Sequence, residues 1–185
     1  MTTTESIDPD QLGPDHRQTL LHQARYKAAA AFMPDSGTIL DLACGTGYGA
    51  VLLATRLPDC LVVGVDHTWA AIQLAKRTAL CCKGNAEFHE ADITTWAPKQ
   101  RADGLVCLET IEHLPDPQAF LKHISFHLKP DAPVCLSAPV DEEPGVNPWH
   151  LHQFDHAGLV GLFKEHFKLE AIFDQICYQT MIGRK

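Results

Sequence analysis

A short glycine-rich segment carries the clearest chemical signal in the sequence. Gly45, Gly47 and Gly49 follow a compact apolar run, residues 38–44, and precede a stretch with the residue pattern of a helix. Glycines at such a junction let the backbone approach a ligand at the positively charged start of the helix. The spacing therefore indicates a nucleotide-type site, although the same glycines could simply form a tight turn.

The carboxylate of Asp41 beside this turn narrows the choice of ligand. A dinucleotide fingerprint needs Gly-x-Gly-x-x-Gly, whereas the third glycine here arrives one residue early. A fixed negative charge beside the turn would repel a pyrophosphate, and it suits a ligand that carries a sulfonium and an ammonium group. Both features disfavour a nicotinamide-dependent oxidoreductase.

Two further acids follow the next two apolar runs. Asp66 comes about 20 residues after the glycines, where such folds place an acid that accepts hydrogen bonds from both ribose hydroxyls. Asp92 could accept a bond from an exocyclic adenine amine while Ile93 packs on the ring, or it could merely cap a turn. Because ligands of open α/β sheets bind outside the carboxyl ends of the strands, three acids at successive strand ends favour a ligand site.

A second group of chemically capable side chains combines carboxylates with imidazoles. Glu109, Glu112 and His113 follow the fourth predicted strand, and His150 and His152 come from a later loop. An imidazole can take a proton near neutral pH, so His113 could be a general base for an acceptor hydroxyl or amine. Carboxylates and imidazoles also suit a divalent metal, and a purely structural alternative is that Glu112 and His113 cap the following helix and bind the later loop.

Strands that alternate with helices predict a Rossmann-like, doubly wound α/β fold: a mostly parallel seven-stranded sheet with an antiparallel last strand and helices on both faces. The predicted strands are residues 38–44, 61–65, 86–93, 104–108, 133–137, 169–173 and 177–182, and the predicted helices are residues 16–33, 48–57, 68–80, 117–128 and 159–167. A chain of 185 residues suits one domain, residues 16–185, after a flexible leader of residues 1–15.

Composition excludes some classes of function. The formal net charge is −8 and the Lys and Arg residues are scattered, which disfavours a nucleic-acid partner. The seven cysteines lack Cys-x-x-Cys spacing, as expected in a reducing cytoplasm. Neither a secretory leader nor an apolar run of ~20 residues is present, so no membrane association is expected. We expect a monomer or a homodimer.

With these motifs the sequence resembles the class I S-adenosylmethionine-dependent methyltransferases. The resemblance rests on Ile39-Leu-Asp-Leu-Ala-Cys-Gly-Thr-Gly-Tyr-Gly49, Val63-Gly-Val-Asp66, Glu109-Thr-Ile-Glu-His-Leu114 and Asn147-Pro-Trp-His150. It implies that S-adenosylmethionine is the cofactor and S-adenosylhomocysteine the product. One departure is Asp131, which stands where the family usually has Gly-Gly before the fifth strand.

The resemblance also assigns roles residue by residue. It implies that the methionine and ribose end of the cofactor is lined by Asp41, Ala43, Gly45 and Gly47. It further implies that the ribose and adenine are held by Asp66, His67, Asp92 and Ile93. By the same match, Glu109 closes the pocket near the transferred methyl group. With His113 as the general base proposed from its residue type, His113 and Glu109 are the expected catalytic residues.

The resemblance implies methyl transfer to an oxygen or nitrogen of a small-molecule or glycan acceptor. The acceptor would enter beneath a lid built from the first helix and residues 138–152, with Trp149 as a contact. The carboxylate and imidazole segments are also similar to small-RNA 3′-terminal 2′-O-methyltransferases, in which such a set binds a metal; that match would use Glu109, Glu112, His113 and His152. The negative net charge disfavours a long RNA as substrate. A further alternative is a non-catalytic module that binds the cofactor.

Overall fold

The computed structural model describes residues 17–80, 84–143, 145, 147–175 and 177–185. The expected leader, residues 1–15, lies outside the described residues. The strands are β1 (Gly37–Leu42), β2 (Cys60–Asp66), β3 (Asn85–Glu90), β4 (Gly104–Leu108), β5 (Pro133–Pro139), β6 (Lys168–Gln175) and β7 (Tyr178–Arg184). The helices are α1 (Arg17–Ala30), α2 (Tyr48–Arg56), α3 (Trp69–Leu80), α4 (Pro117–Phe126) and α5 (His156–Lys164), with a 3₁₀ helix at Ile111–His113.

The strands form one sheet in the order β3-β2-β1-β4-β5-β7-β6. Strands β1 to β5 pair in parallel, whereas β7 runs antiparallel to both β5 and β6. The predicted mostly parallel sheet with an antiparallel last strand is therefore confirmed. The strand order reverses between β1 and β4, and a crevice for ligands opens at the carboxyl ends of strands at such a point.

Helices cover both faces of the sheet, so successive strand residues are buried in two separate layers. Leu105 of β4 packs with Phe120 and Phe163 from α4 and α5. Its neighbour Val106 packs in the opposite layer, which contains Tyr26 of α1. Burying each large apolar side chain contributes roughly 1.5–3 kcal/mol, which holds the helices against the sheet.

Two predicted strands are shorter than expected at their carboxyl ends, and each has a local cause. β1 ends at Leu42 because Ala43 adopts a left-handed backbone conformation with φ of 59°. β3 ends at Glu90 because the Asp92 carboxylate accepts a hydrogen bond from the Thr94 N–H and turns the chain. Both shortenings place the predicted ligand-binding residues in turns at the sheet edge.

Helix boundaries also differ from the prediction. α1 ends at Ala30 instead of residue 33, since the N–H groups of Ala31 and Phe32 already bond three residues back in a tighter turn. α5 begins three residues earlier than predicted because the Asp155 side chain accepts a bond of 2.6 Å from the Gly158 N–H. Asp131, the departure from the family pattern, adopts a left-handed φ of 60°.

Candidate functional site

The glycine turn connects β1 to α2 in a backbone conformation that depends on its small residues. Ala43, Gly45 and Gly47 all have positive φ angles, of 59°, 53° and 80°. A Cβ atom added at Gly47 would lie 2.5 Å from the Cβ of Ala75, so the turn is also closely packed against α3. The glycines are therefore required for the shape of the turn, whatever it binds.

Asp66 connects the carboxyl end of β2 to this turn. One carboxylate oxygen accepts a hydrogen bond of 2.9 Å from the Gly45 N–H, and the other accepts one of 2.8 Å from the Thr68 N–H. The side chain is almost fully buried. A carboxylate offers about four acceptor positions, so two remain for hydroxyl groups of a ligand.

Asp41 is fully buried beneath α1 and does not face an open surface. The Tyr26 hydroxyl lies 3.0 and 3.2 Å from its two carboxylate oxygens and donates to them. Burial raises the pKa of Asp41 to about 7; the Tyr26 hydrogen bond opposes this shift and the charge of Asp66 adds to it. The expected direct contact between Asp41 and a cofactor would require Tyr26 to move.

Contacts of a buried arginine hold helix α1 at the edge of the sheet. Arg25 lies 3.6 Å from Glu109 and donates a hydrogen bond of 2.9 Å to Gln175. Its guanidinium also lies 4.6 Å from the centre of the Tyr178 ring. Sequence reasoning gave Arg25 no role, although Arg25-Tyr26 precedes the glycine turn and a charged residue inside a helix pattern can signal a buried ion pair.

The expected adenine contacts lie at the ends of β2 and β3. His67 is exposed, with 73% of its side chain accessible, and its ring lies 3.7 Å from Asp66. Asp92 is exposed, and hydrogen bonds from the Thr94 side chain and N–H lower its pKa. Asp92 thus caps a turn, which was the structural alternative to adenine binding. Ile93 packs in the core layer of α4 and α5.

Glu109 follows β4 at the point where the strand order reverses. Its backbone has a left-handed φ of 52°, which directs the chain into the 3₁₀ helix. Its carboxylate accepts a hydrogen bond of 2.5 Å from the Ser137 hydroxyl at the end of β5. Together with Arg25, these contacts fix Glu109 at the carboxyl edge of the sheet.

Glu112 and His113, from the segment that follows Glu109, come together with His150 from the later loop. One possible ligand atom from each lies within 4.8 Å of the others, and Glu112 is only 1% exposed. The His113 ring packs edge to face on His150 with centroids 4.9 Å apart. The His150 Nδ1 atom contacts the Glu142 carboxylate. This set could hold a divalent metal ion.

The set differs from the one that the small-RNA resemblance implies. His152 is directed to the carbonyl oxygen of Leu114, 2.9 Å from its Nε2 atom, and takes no part in the cluster. Glu109 is engaged by Arg25 and Ser137 instead. The position of His152 follows from its backbone, since its N–H bonds the Glu112 carbonyl oxygen at 3.1 Å.

The structural alternative for this segment is correct in one part and wrong in another. Asp116, and neither Glu112 nor His113, caps α4 by accepting a bond of 2.9 Å from the Ala119 N–H. His113 does contact the later loop, because its Nδ1 lies 3.0 Å from the Trp149 carbonyl oxygen. The loop is thereby held against the 3₁₀ helix.

The chain matches a family model described as a methyltransferase domain over residues 34–177. The match extends over most of the chain, and the protein belongs to this methyltransferase family. It confirms the resemblance to the class I S-adenosylmethionine-dependent methyltransferases. The cofactor of this class is S-adenosylmethionine.

Curated relatives and solved structures agree with this assignment. The trans-aconitate 2-methyltransferase of Azoarcus sp. is 30% identical over 116 residues, 63% of this chain and 44% of that enzyme. The Variovorax paradoxus enzyme of the same name is 30% identical over 112 residues, 60% of this chain and 42% of its own length. The chain thus spans less than half the length of these relatives.

Solved structures of similar fold include two methyltransferases. The N-methyltransferase NodS from Bradyrhizobium japonicum, in complex with S-adenosylhomocysteine, has a TM-score of 0.79 at 16% identity and covers 98% of this chain and 93% of its own. A methyltransferase from Aquifex aeolicus has a TM-score of 0.75 at 16% identity, covering 97% and 99%. Within the described part of the chain, no helix has the length and apolar character needed to span a membrane.

Proposed function

We propose that this chain binds S-adenosylmethionine at the carboxyl edge of β1, β2 and β4 and directs its methyl group to an oxygen or nitrogen of a small-molecule or glycan acceptor. The observation that carries the proposal is the link between the glycine turn and Asp66, 2.9 Å from the Gly45 N–H. It holds the start of α2 and a carboxylate suited to ribose hydroxyls side by side. When bound, the cofactor supplies a methyl group that its sulfonium sulfur has already activated.

The residues of the turn and of β2 would hold the cofactor. Asp66 keeps acceptor positions for the ribose hydroxyls, while Gly45 and Gly47 allow the backbone to approach the ligand closely. His67 and Asp92 lie at the ends of β2 and β3 and would border the adenine. Ile93 is buried in the core, so it would form part of the apolar wall beneath the adenine.

The methionine end of the site would lie under α1. Ala43 turns the backbone there, and the Tyr26–Asp41 pair forms its buried base. Glu109 closes this end from β4, where Arg25 and Ser137 hold its carboxylate. Fixed charges in a partly buried site act at low local dielectric, so their orientation matters more than at an exposed surface.

His113 is the proposed general base. Its Nδ1 lies 3.0 Å from the Trp149 carbonyl oxygen, an acceptor, so in the neutral ring Nδ1 carries the proton and Nε2, which lies 3.9 Å from the Glu112 carboxylate, carries the lone pair. This nitrogen can take the proton that the acceptor hydroxyl or amine loses when it forms its new bond to carbon. The protein otherwise contributes proximity and the exclusion of water.

A labelled-methyl assay tests this function. The protein would be incubated with S-adenosylmethionine tritiated on the methyl group and a panel of small hydroxyl and amine compounds, with His113→Ala and, as a matched control, the exposed His89→Ala. We expect transfer that depends on His113 and not on His89. Transfer that is equal in both variants would contradict the role of His113, and no transfer from tightly bound cofactor would favour a non-catalytic module.

A further inference from the structure

The acceptor side of the site contains an unusual distribution of charge. The sequence has neither Lys nor Arg in residues 102–121 or in residues 130–163. These stretches include β4, the 3₁₀ helix, β5 and the loop that follows β5, so they supply the surroundings of the proposed base. An anionic acceptor would find no Lys or Arg side chain on either stretch.

An open cleft of about 690 Å³ lies between the starts of α4 and α5 and the loop after β5. Its charged lining residues are Asp116, Asp141, Glu142 and Asp155, and no Lys or Arg is among the described residues that line it. His152 also lines it. The charged side chains of the lining are therefore predominantly acidic.

Both helix N-termini at this cleft are already occupied by carboxylates of the protein. Asp116 accepts a bond of 2.9 Å from the Ala119 N–H, and Asp155 accepts one of 2.6 Å from the Gly158 N–H. Helix starts are otherwise favourable places for an anion. The two caps leave a substrate carboxylate with like charges where it would need donors.

The cleft is linked to the proposed catalytic group by side-chain contacts through Glu142. Glu142 lines the cleft and contacts Nδ1 of His150, whose ring packs on His113. Arg25, the buried cation on the other side, is 2% exposed and held by Glu109 at 3.6 Å, so it is not presented to an acceptor. The path to His113 is thus bordered by carboxylates and imidazoles.

An exposed aromatic side chain lies on the same loop as Asp141 and Glu142. Trp149 is 51% exposed, while its backbone is fixed by contacts of 2.9 Å from its N–H to Asn147 and of 3.0 Å from its carbonyl oxygen to His113. An accessible indole on a fixed backbone is a suitable partner for an organic cation. This feature is independent of the acidic lining and points to the same kind of ligand.

We propose that the acceptor is a small molecule that carries a protonated amine, recognised by the cleft carboxylates and Trp149, and that acceptors bearing carboxylates are rejected. The proposal rests on the proposed function, since it defines the acceptor for that same site. The proposal therefore excludes a tricarboxylate such as trans-aconitate as the acceptor of this chain. Like-charge repulsion in a cleft costs enough to give about a tenfold or greater preference between otherwise equal compounds.

The first test measures the potential of the cleft without cofactor or turnover. Cationic and anionic nitroxide probes of equal size would be compared by their relaxation of amide protons in the isotope-labelled protein. We expect the cationic probe to dominate at Leu151, His152 and Gln153, and this excess to shrink in the doubly substituted Asp141→Asn, Glu142→Gln protein. Glu87→Gln on β3, an exposed acid away from the cleft, is the matched control and should leave the excess unchanged.

Equal relaxation by both probes, or dominance of the anionic probe, would overturn the proposal even if the cofactor binds as proposed. The second test uses labelled-methyl transfer to pairs such as tyramine and 4-hydroxyphenylacetate, which differ in the charged group, and to trans-aconitate. We expect the amine of a pair to be preferred and trans-aconitate to remain unmethylated. Turnover of trans-aconitate, preference for the carboxylate compound, or lack of transfer to every amine would contradict the assignment. A separate measurement of cofactor binding shows whether the acceptor assignment or the proposed function has failed.

Discussion

Asp66 accepts a hydrogen bond of 2.9 Å from the Gly45 N–H, although 21 residues separate the two in the chain. The bond joins the end of β2 to the turn after β1, and it fixes a buried carboxylate beside the glycine turn. The turn and the carboxylate are thereby held together at one edge of the sheet before any ligand arrives. Such preorganisation reduces the entropy cost of binding.

Replacing Asp66 by Asn should weaken cofactor binding. The change keeps the side-chain size, removes the charge and leaves one fewer acceptor oxygen for the ribose hydroxyls. Since hydrogen bonds to a charged group contribute roughly 1.5–3 kcal/mol, we expect a loss of affinity of roughly ten- to a hundredfold. Equilibrium dialysis with labelled S-adenosylmethionine would measure it, with Glu87→Gln as the matched surface control; an unchanged dissociation constant for Asp66→Asn would remove Asp66 from the site.

The buried carboxyl of Asp41 should make stability depend on pH. Its pKa is raised by burial to about 7 in the folded protein, so the folded state binds more protons than the unfolded state between about pH 4 and pH 7. The contribution of Asp41 is therefore most favourable at low pH and is lost as the pH rises to about 7.

Comparison with Asp41→Asn isolates this effect. The free energy of unfolding of the wild type relative to the variant should fall as the pH rises, by no more than about 1.4 kcal/mol per pH unit, and should level off above about pH 7. Urea unfolding at a series of pH values would measure the difference. Parallel curves for the two proteins would show that the Asp41 carboxyl titrates normally in the folded state.

His113→Ala should separate chemistry from cofactor binding. The lone pair at Nε2 is lost, whereas the cofactor contacts proposed at β1 and β2 are untouched. We expect transfer to fall roughly 10²- to 10⁴-fold, as is typical for loss of a general base. The affinity for S-adenosylhomocysteine should stay within about twofold of wild type, and a parallel loss of affinity would mean that His113 is needed for the structure of the site instead.

Removing metal ions tests whether His113 acts as a general base or coordinates a metal. A general base needs the Nε2 lone pair of His113 free, while a metal held by Glu112, His113 and His150 would occupy it. We expect treatment with a chelator followed by dialysis to leave labelled-methyl transfer unchanged. Loss of activity that Mn²⁺ restores would reassign this cluster as a metal site.

The sheet and the glycine turn could be predicted because each follows from a local pattern. Buried parallel strands are near-continuous apolar runs, and residues such as Ile39 to Leu42 show this directly. Asp66 at the end of β2 could be predicted in the same way, because it directly follows an apolar run. Helix and strand ends were less predictable, since the cap at Asp155 lies in a segment that is rich in polar residues and offers several possible starts.

The candidate site was predictable only where regular elements carry it. His150 and His152 are two residues apart in an irregular loop, and which ring reaches His113 depends on backbone bonds from Leu151 and His152 to Glu112. No periodic pattern encodes that choice. The pairing of Tyr26 with Asp41 likewise joins a helix to a strand across the fold, and a sequence pattern contains no information about that contact.

Calorimetric titration of the purified protein with S-adenosylhomocysteine, with NAD as the control ligand, tests the central claim most directly. The account predicts saturable one-to-one binding of S-adenosylhomocysteine and no binding of NAD. Binding of NAD instead, or no heat from either ligand, would contradict the assignment of the glycine turn and Asp66 to an S-adenosylmethionine site.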